Sequence, residues 1–124
     1  MGIDIYARWK GQTDDEENAQ YTGYSIIHGH VGYLREAYHG DPYATHFLFP
    51  EAFQSGDGTA RIPASVLRAR LEPTLVIVEE RQRRIYHSEE EEIDEEKRSF
   101  RAFVELCERK ERETGETVTI IASY

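Results

Sequence analysis

Residues 62–115 read IPASVLRARLEPTLVIVEERQRRIYHSEEEEIDEEKRSFRAFVELCERKERETG. Leu67, Leu71, Leu75, Val78 and Ile85 recur at spacings of three, four or seven, the period of one helix face. Ile62-Pro63 opens the run, because proline suits a first helical position and holds its predecessor extended. Pro73 interrupts it and predicts either a kink or two helices meeting near Glu72. Ser88 stands three residues before Glu91, a capping-box spacing. Ile93, Phe100, Phe103, Val104 and Cys107 then form a second stripe, and Thr114-Gly115 supplies the stop. Helices over 63–87 and 89–113, folded into an antiparallel hairpin, follow from this pattern.

Working outward, residues 2–9 alternate Ile3, Ile5, Ala7 and Trp9 against polar positions, and Val118, Ile120 and Ala122 alternate near the other end. Both read as half-buried strands, over 2–9 and 117–124. Thr13 stands three residues before Glu16, so a short helix is expected through about Tyr21. Residues 24–31 and 43–49 read as two further strands, 33–38 as a helical turn or two, and 55–59 as a loop tip. Strands followed by helices indicate an α+β fold. The expectation is a single domain, 1–124, with a sheet of about four strands, mainly antiparallel, and the hairpin packed on one face. The first and last strands are expected to be neighbours.

The chain has 124 residues, 39% of them apolar and 31% charged, too apolar for wholesale disorder and without a run long enough to span a membrane. Its net charge is −9, the wrong sign for general nucleic-acid binding, which draws its affinity from phosphate neutralisation. The single cysteine, Cys107, makes no internal disulfide and falls in an apolar stripe, so an inert core thiol is expected. A soluble, cytoplasmic protein is the expectation. A sheet with an edge strand needs cover, and a homodimer is expected to provide it.

Five of the eight tyrosines and four of the five histidines fall within residues 21–49. Tyrosine offers a flat face with a polar tip, histidine a donor, an acceptor or a metal ligand, and glycine lets backbone approach a ligand. The mixture suits the lining of a polar small-molecule site. The candidate ligand-binding residues are Tyr24, His28, His30, Tyr33, Arg35, Tyr38, His39, Tyr43 and His46. Arg35, His28 and His30 would pair with phosphate oxygens, helped by Arg8, and Tyr24, Tyr33, Tyr38 or Tyr43 would stack on a base. His28, His30, Arg35 and Tyr43 are then expected to converge on one cavity. Walker-type and dinucleotide fingerprints are absent, which argues against an ATPase or a Rossmann dehydrogenase.

His28 and His30 are two apart, hence on one face of a strand. With His39 and Asp41 they would form a metal set, but this spacing occurs more often without metal, and no cofactor is expected. Asp4 lies mid-strand, opposite Ile3 and Ile5, and reads as a residue of the solvated face. The leading expectation is a binding protein, sensor or sequestering, for a polar and nucleotide-like or phosphate-bearing small molecule. A small hydrolase dependent on His28 and His30, with or without metal, is the alternative from another class. A third is an acidic inhibitor or immunity-type protein that meets a basic partner through the acidic face 89–96. That face also reads as the first turn of a helix, stabilised by its dipole.

The opening GIDIYARWKGQ and the stretch TGYSIIHGHVGYLREAYHG resemble small bacterial or phage proteins to which no activity attaches. The resemblance implies no site and no reaction.

Overall fold

A computed structural model describes residues 2–22 and 30–124. In chain order the elements are β1 (Gly2–Arg8), α1 (Asp14–Thr22), β2 (Tyr33–Ala37), α2 (Ala44–Leu48), α3 (Pro50–Gln54), β3 (Thr59–Arg61), α4 (Ala64–Arg84), α5 (Glu90–Thr114) and β4 (Thr119–Ser123). The four strands form one sheet in the order β2-β1-β4-β3, antiparallel throughout. The strands nearest the two ends pair directly, with Ile5 opposite Ala122 and Ala7 opposite Ile120. The fold is α+β, with the α4–α5 hairpin packed as the two stripes predict.

The alternation in β1 is realised. Ile3, Ile5 and Ala7 are buried, joined by Leu34, Ile120 and Ala122 from the neighbouring strands. Against this face pack Leu67, Leu71, Leu75 and Val78 of α4 and Phe100, Phe103, Val104 and Cys107 of α5. Phe49 meets Phe103 edge-on at 5.3 Å between ring centres. Burying a large apolar side chain contributes about 1.5–3 kcal/mol, so these stripes are the main stabilising term. No helix among the described residues is long and apolar enough to cross a membrane.

The capping box at Thr13 forms: its N–H donates to Glu16 Oε1 at 2.9 Å, and the Glu16 N–H donates to Thr13 Oγ1 at 3.1 Å. The one at Ser88 does not. Helix α5 starts at Glu90, and the Ser88 hydroxyl donates instead to Gln82 Oε1 at 2.7 Å. Helix α4 runs unbroken through Pro73. Ala69 and Pro73 are both exposed, so the carbonyl that loses its intrahelical partner lies on the solvent side.

Three expectations are corrected. Residues 33–37 form a strand rather than helical turns, because Leu34 enters the core while Tyr33 and Arg35 lie over β1. Residues 44–48 form helix α2 rather than a strand. The Glu36 carboxylate accepts the N–H groups of Ala44 and Thr45 at 2.8 and 2.9 Å and the Thr45 hydroxyl at 2.6 Å. A carboxylate from a neighbouring strand thus does what an N-cap side chain usually does. Strand β3 emerges from the predicted loop tip, where Gly58 holds φ 74° and its carbonyl accepts from Ala122 N at 2.8 Å. In the strand expected over 24–31, residues 24–29 lie outside the described residues. His30 and Val31 belong to no regular element, and Gly32, at φ 88°, turns the chain into β2.

Candidate functional site

Of the sequence candidates, Tyr24 and His28 lie outside the described residues. The others occupy separate places. Tyr33 and Arg35 stand on the sheet face turned away from the α4–α5 hairpin, where both reach Asp4: the Tyr33 hydroxyl donates to its Oδ1 at 2.5 Å and Arg35 Nη1 at 2.8 Å. Burial and the Asp4 bond push the Tyr33 phenol up to about 12. Tyr38, Tyr43 and His46 form an aromatic run around α2 that continues to Phe53 and Tyr124. His39 sits edge-on to Tyr86, 5.1 Å between ring centres.

His30 is elsewhere. Its Nδ1 accepts the Gly32 N–H at 2.9 Å, its ring meets Phe103 edge-on at 5.5 Å, and its buried Nε2 has no partner among the described residues. Burial, helped by the Arg109 charge, lowers its pKa to about 4, so it is neutral at physiological pH. It lines a cavity of about 300 Å³ with Trp9, Leu106 and Lys110, whose Nζ lies 5.1 Å from the Trp9 ring centre. His30 and Arg35 therefore line different cavities. Among the described residues no group of three or more His, Cys, Asp or Glu is placed to hold a metal ion, and His28 is not among those residues.

A more developed site lies where β2 meets the junction end of the α4–α5 hairpin. Here a cleft of about 360 Å³ has Arg35 and Glu36 on one side, Val78, Arg81 and Gln82 from α4, and Tyr86, Glu96 and Phe100 around the helix junction. Two positions make it. On α4 the stripe runs Leu71, Leu75, Val78 and then Arg81. On α5 it runs Ile93, then Glu96, then Phe100. Each helix carries a charged residue where the three-and-four spacing calls for an apolar one. The two stripes do not close on each other there, and a cleft remains.

The two charged groups have opposite circumstances. Arg81 is only 3% exposed. Its Nη1 donates to the carbonyls of Gly40 at 2.5 Å and Pro42 at 3.0 Å, its Nη2 to that of Ala37 at 3.1 Å, and its Nε lies 3.1 Å from Glu36 Oε2. The guanidinium also lies 4.8 Å from the Tyr43 ring centre. Such a buried cation is tolerable because its donors are nearly all matched. Glu96 is half-buried and has no hydrogen bond or ion pair among the described residues. Burial holds its carboxyl above the usual range, and the charges of Glu36 and Glu95 add to that. The Tyr86 phenol, on the same rim, is also raised by burial.

Of the residues that build this cleft, Arg81, Glu36, Gln82 and Tyr86 are absent from the sequence candidates, Glu96 ends the acidic face 89–96 offered there for a protein partner, and Arg35 is the one shared with the ligand-binding set. The signal that marks two of them is the polar gap in each apolar stripe. Cys107, by contrast, fits its expected place: it is buried, and desolvation pushes its thiol pKa up.

Comparison of the chain with known protein-family models, with curated proteins and with solved structures gave no match.

Proposed function

We propose that this protein binds a polar small molecule, as a sensor or a sequestering protein, and that its binding site is the cleft between β2, α4 and α5. The observation that carries the reading is Glu96, at a core-stripe position of α5, lining this cleft with no hydrogen bond or ion pair among the described residues. Arg81 is matched within the fold, but Glu96 is not, and a buried polar group costs free energy unless it is matched. A concave, half-apolar surface with a few directed polar groups is the usual form of a ligand site. A phosphate-bearing ligand is the less supported member of the class, because Arg35 is already paired with Asp4 and Arg81 with Glu36.

The reading is tested by native mass spectrometry of the purified protein against a library of polar metabolites, followed by amide NMR titration of each hit. Hits are expected to shift the amides of Ala37, Gln82, Tyr86 and Phe100 together. A screen without hits, or hits that shift only amides around Trp9, His30 and Leu106, would overturn it.

The same proposal places the protein in the cytoplasm, supported by a buried free thiol. It also makes it a homodimer, supported by the tyrosine-rich sheet face opposite the α4–α5 hairpin, where Tyr6 lies 5.2 Å from Tyr21 of α1 and 5.3 Å from Tyr33 between ring centres. Sedimentation of the full chain at high micromolar concentration is expected to give twice the 14.4 kDa chain mass. A single 14.4 kDa species removes the dimer.

A further inference from the structure

We infer that the group recognised in the β2–α4–α5 cleft is a small organic cation, a protonated amine or a guanidinium on a short apolar chain, held by the Glu96 carboxylate. This rests on the reading of that cleft as the binding site and names the class of ligand.

The argument is one of charge already committed against charge left over. Four charged residues line the cleft. Arg35 is paired with Asp4, and Arg81 and Glu36 with each other. Of the cations on the neighbouring turns, Lys97 pairs with Glu79, and Arg83 with Glu79 at 3.5 Å and Glu90 at 2.6 Å. Glu96 is the one charged group lining the cleft without an ion pair or hydrogen bond among the described residues. An anion entering here would meet an unmatched carboxylate and, among the described residues that line the cleft, no free cation. A cation would supply the missing partner in partly desolvated surroundings, where a charge-assisted hydrogen bond is strong. The apolar lining fits a short chain behind such a head: Val78 offers aliphatic surface, and Phe100 and Tyr86 offer aromatic surface.

The groups that face Glu96 set the pH dependence. They are Glu36 from β2, Arg81 from α4, Tyr86 at the junction, with His39 against its ring, and Glu95 on α5 itself, whereas the Arg35 side chain turns to Asp4 on the other sheet face. The two carboxylates and the burial make Glu96 harder to ionise than an exposed glutamate. A cation therefore binds more tightly as pH rises from below the ordinary carboxylate range towards neutrality, and its binding draws the proton off Glu96.

The test is an amide NMR titration of the intact protein with n-butylamine and n-butylguanidine, using n-butanol, n-butyrate and inorganic phosphate as matched neutral and anionic probes. The two cations are expected to shift Ala37, Gln82, Tyr86 and Phe100, more tightly at pH 7 than at pH 4.5. Glu96→Gln is expected to weaken them by about tenfold or more, the scale of one charge-assisted hydrogen bond. The pH series on the unaltered protein keeps the test independent of how that variant folds. Cation binding that ignores pH, or that survives unchanged in a folded Glu96→Gln protein, overturns the inference. Shifts of the same amides by butyrate or phosphate alone overturn it while leaving the cleft as the binding site. No shift of these amides by any probe overturns the cation inference, while a metabolite screen without hits at the cleft removes the binding site itself.

Discussion

Glu36 Oε2 lies 3.1 Å from Arg81 Nε, and the same carboxylate accepts the first N–H groups of α2 from Ala44 and Thr45. One acidic side chain on the inward face of the edge strand β2 thus ties together β2, α4 and the start of a short helix. Its two functions cannot be separated by neutralising the ion pair alone.

Arg81→Ala strips that carboxylate of its cation and leaves three carbonyls, at Gly40, Pro42 and Ala37, without their donor. Breaking one side of a buried pair costs about 3–5 kcal/mol, and that loss is expected in chemical denaturation. Replacing both partners by apolar residues often restores stability. Here Arg81→Met with Glu36→Leu is expected to remain clearly destabilised, because the α2 donors stay unmatched. Recovery of full stability in the double variant would show that Glu36 does not hold α2.

Gly58→Ala tests the turn that delivers β3. The residue holds φ 74°, and an added Cβ would stand 2.8 Å from the Ala122 carbonyl oxygen. A left-handed conformation costs an L-residue roughly 1–2 kcal/mol before any clash, so a loss of at least that size is expected. Gly56→Ala, where a Cβ meets nothing within 4 Å, is the control and should change stability little. Equal effects at the two positions would refute the assignment.

The helical hairpin and the two end strands were legible because each buries one face and leaves the other wet, so period and burial coincide. The α2 segment was not, for a specific reason. Tyr43, Thr45, Phe47 and Phe49 alternate with smaller or polar residues as a strand would, and the group that starts the helix, Glu36, sits on a different element. No local pattern carries that cap. In β2 the inward position after Leu34 is Glu36 itself, a charge where alternation calls for an apolar residue, and that masked the strand. The cleft was legible in principle: Arg81 and Glu96 fill the gaps in two otherwise regular stripes. That both gaps open onto one cleft depends on how the helices pack, which spacing within each helix does not reveal. The density of Tyr and His in 21–49 drew attention to residues that the fold distributes over both sheet faces and around α2.

Cys107 gives a direct probe of the core. It is 1% exposed and packed in the α5 stripe, and its thiol is held protonated by burial and by the carboxylates of Glu111 and Glu108. Thiolate is the reactive form, so an aromatic disulfide reagent is expected to leave the folded protein untouched and to react stoichiometrically in denaturant. In the native protein, the rate should follow opening of the α4–α5 hairpin and rise in Arg81→Ala. Rapid labelling of the native protein would contradict the packing of α5.

His30 gives the sharpest pH prediction. Its folded pKa is lowered to about 4 from an ordinary 6.5, chiefly by burial and secondarily by Arg109. The folded state therefore holds the ring neutral over a range in which the unfolded chain protonates it. The unfolded state binds the extra proton, so stability rises with pH across that window. The stabilising contribution is fully present above about pH 6.5 and is lost progressively as pH falls towards 4, by up to about 3 kcal/mol. Carboxylates with lowered folded pKa values, such as Glu16 and Glu51, lose stability over the acid range too, so the comparison must be with a variant. His30→Phe preserves a ring against Phe103 and cannot take up a proton. It is expected to flatten the stability profile between pH 6.5 and 4 while leaving the more acidic part unchanged. A profile of the same slope in His30→Phe would mean that His30 is protonated as readily in the folded protein as in the unfolded chain.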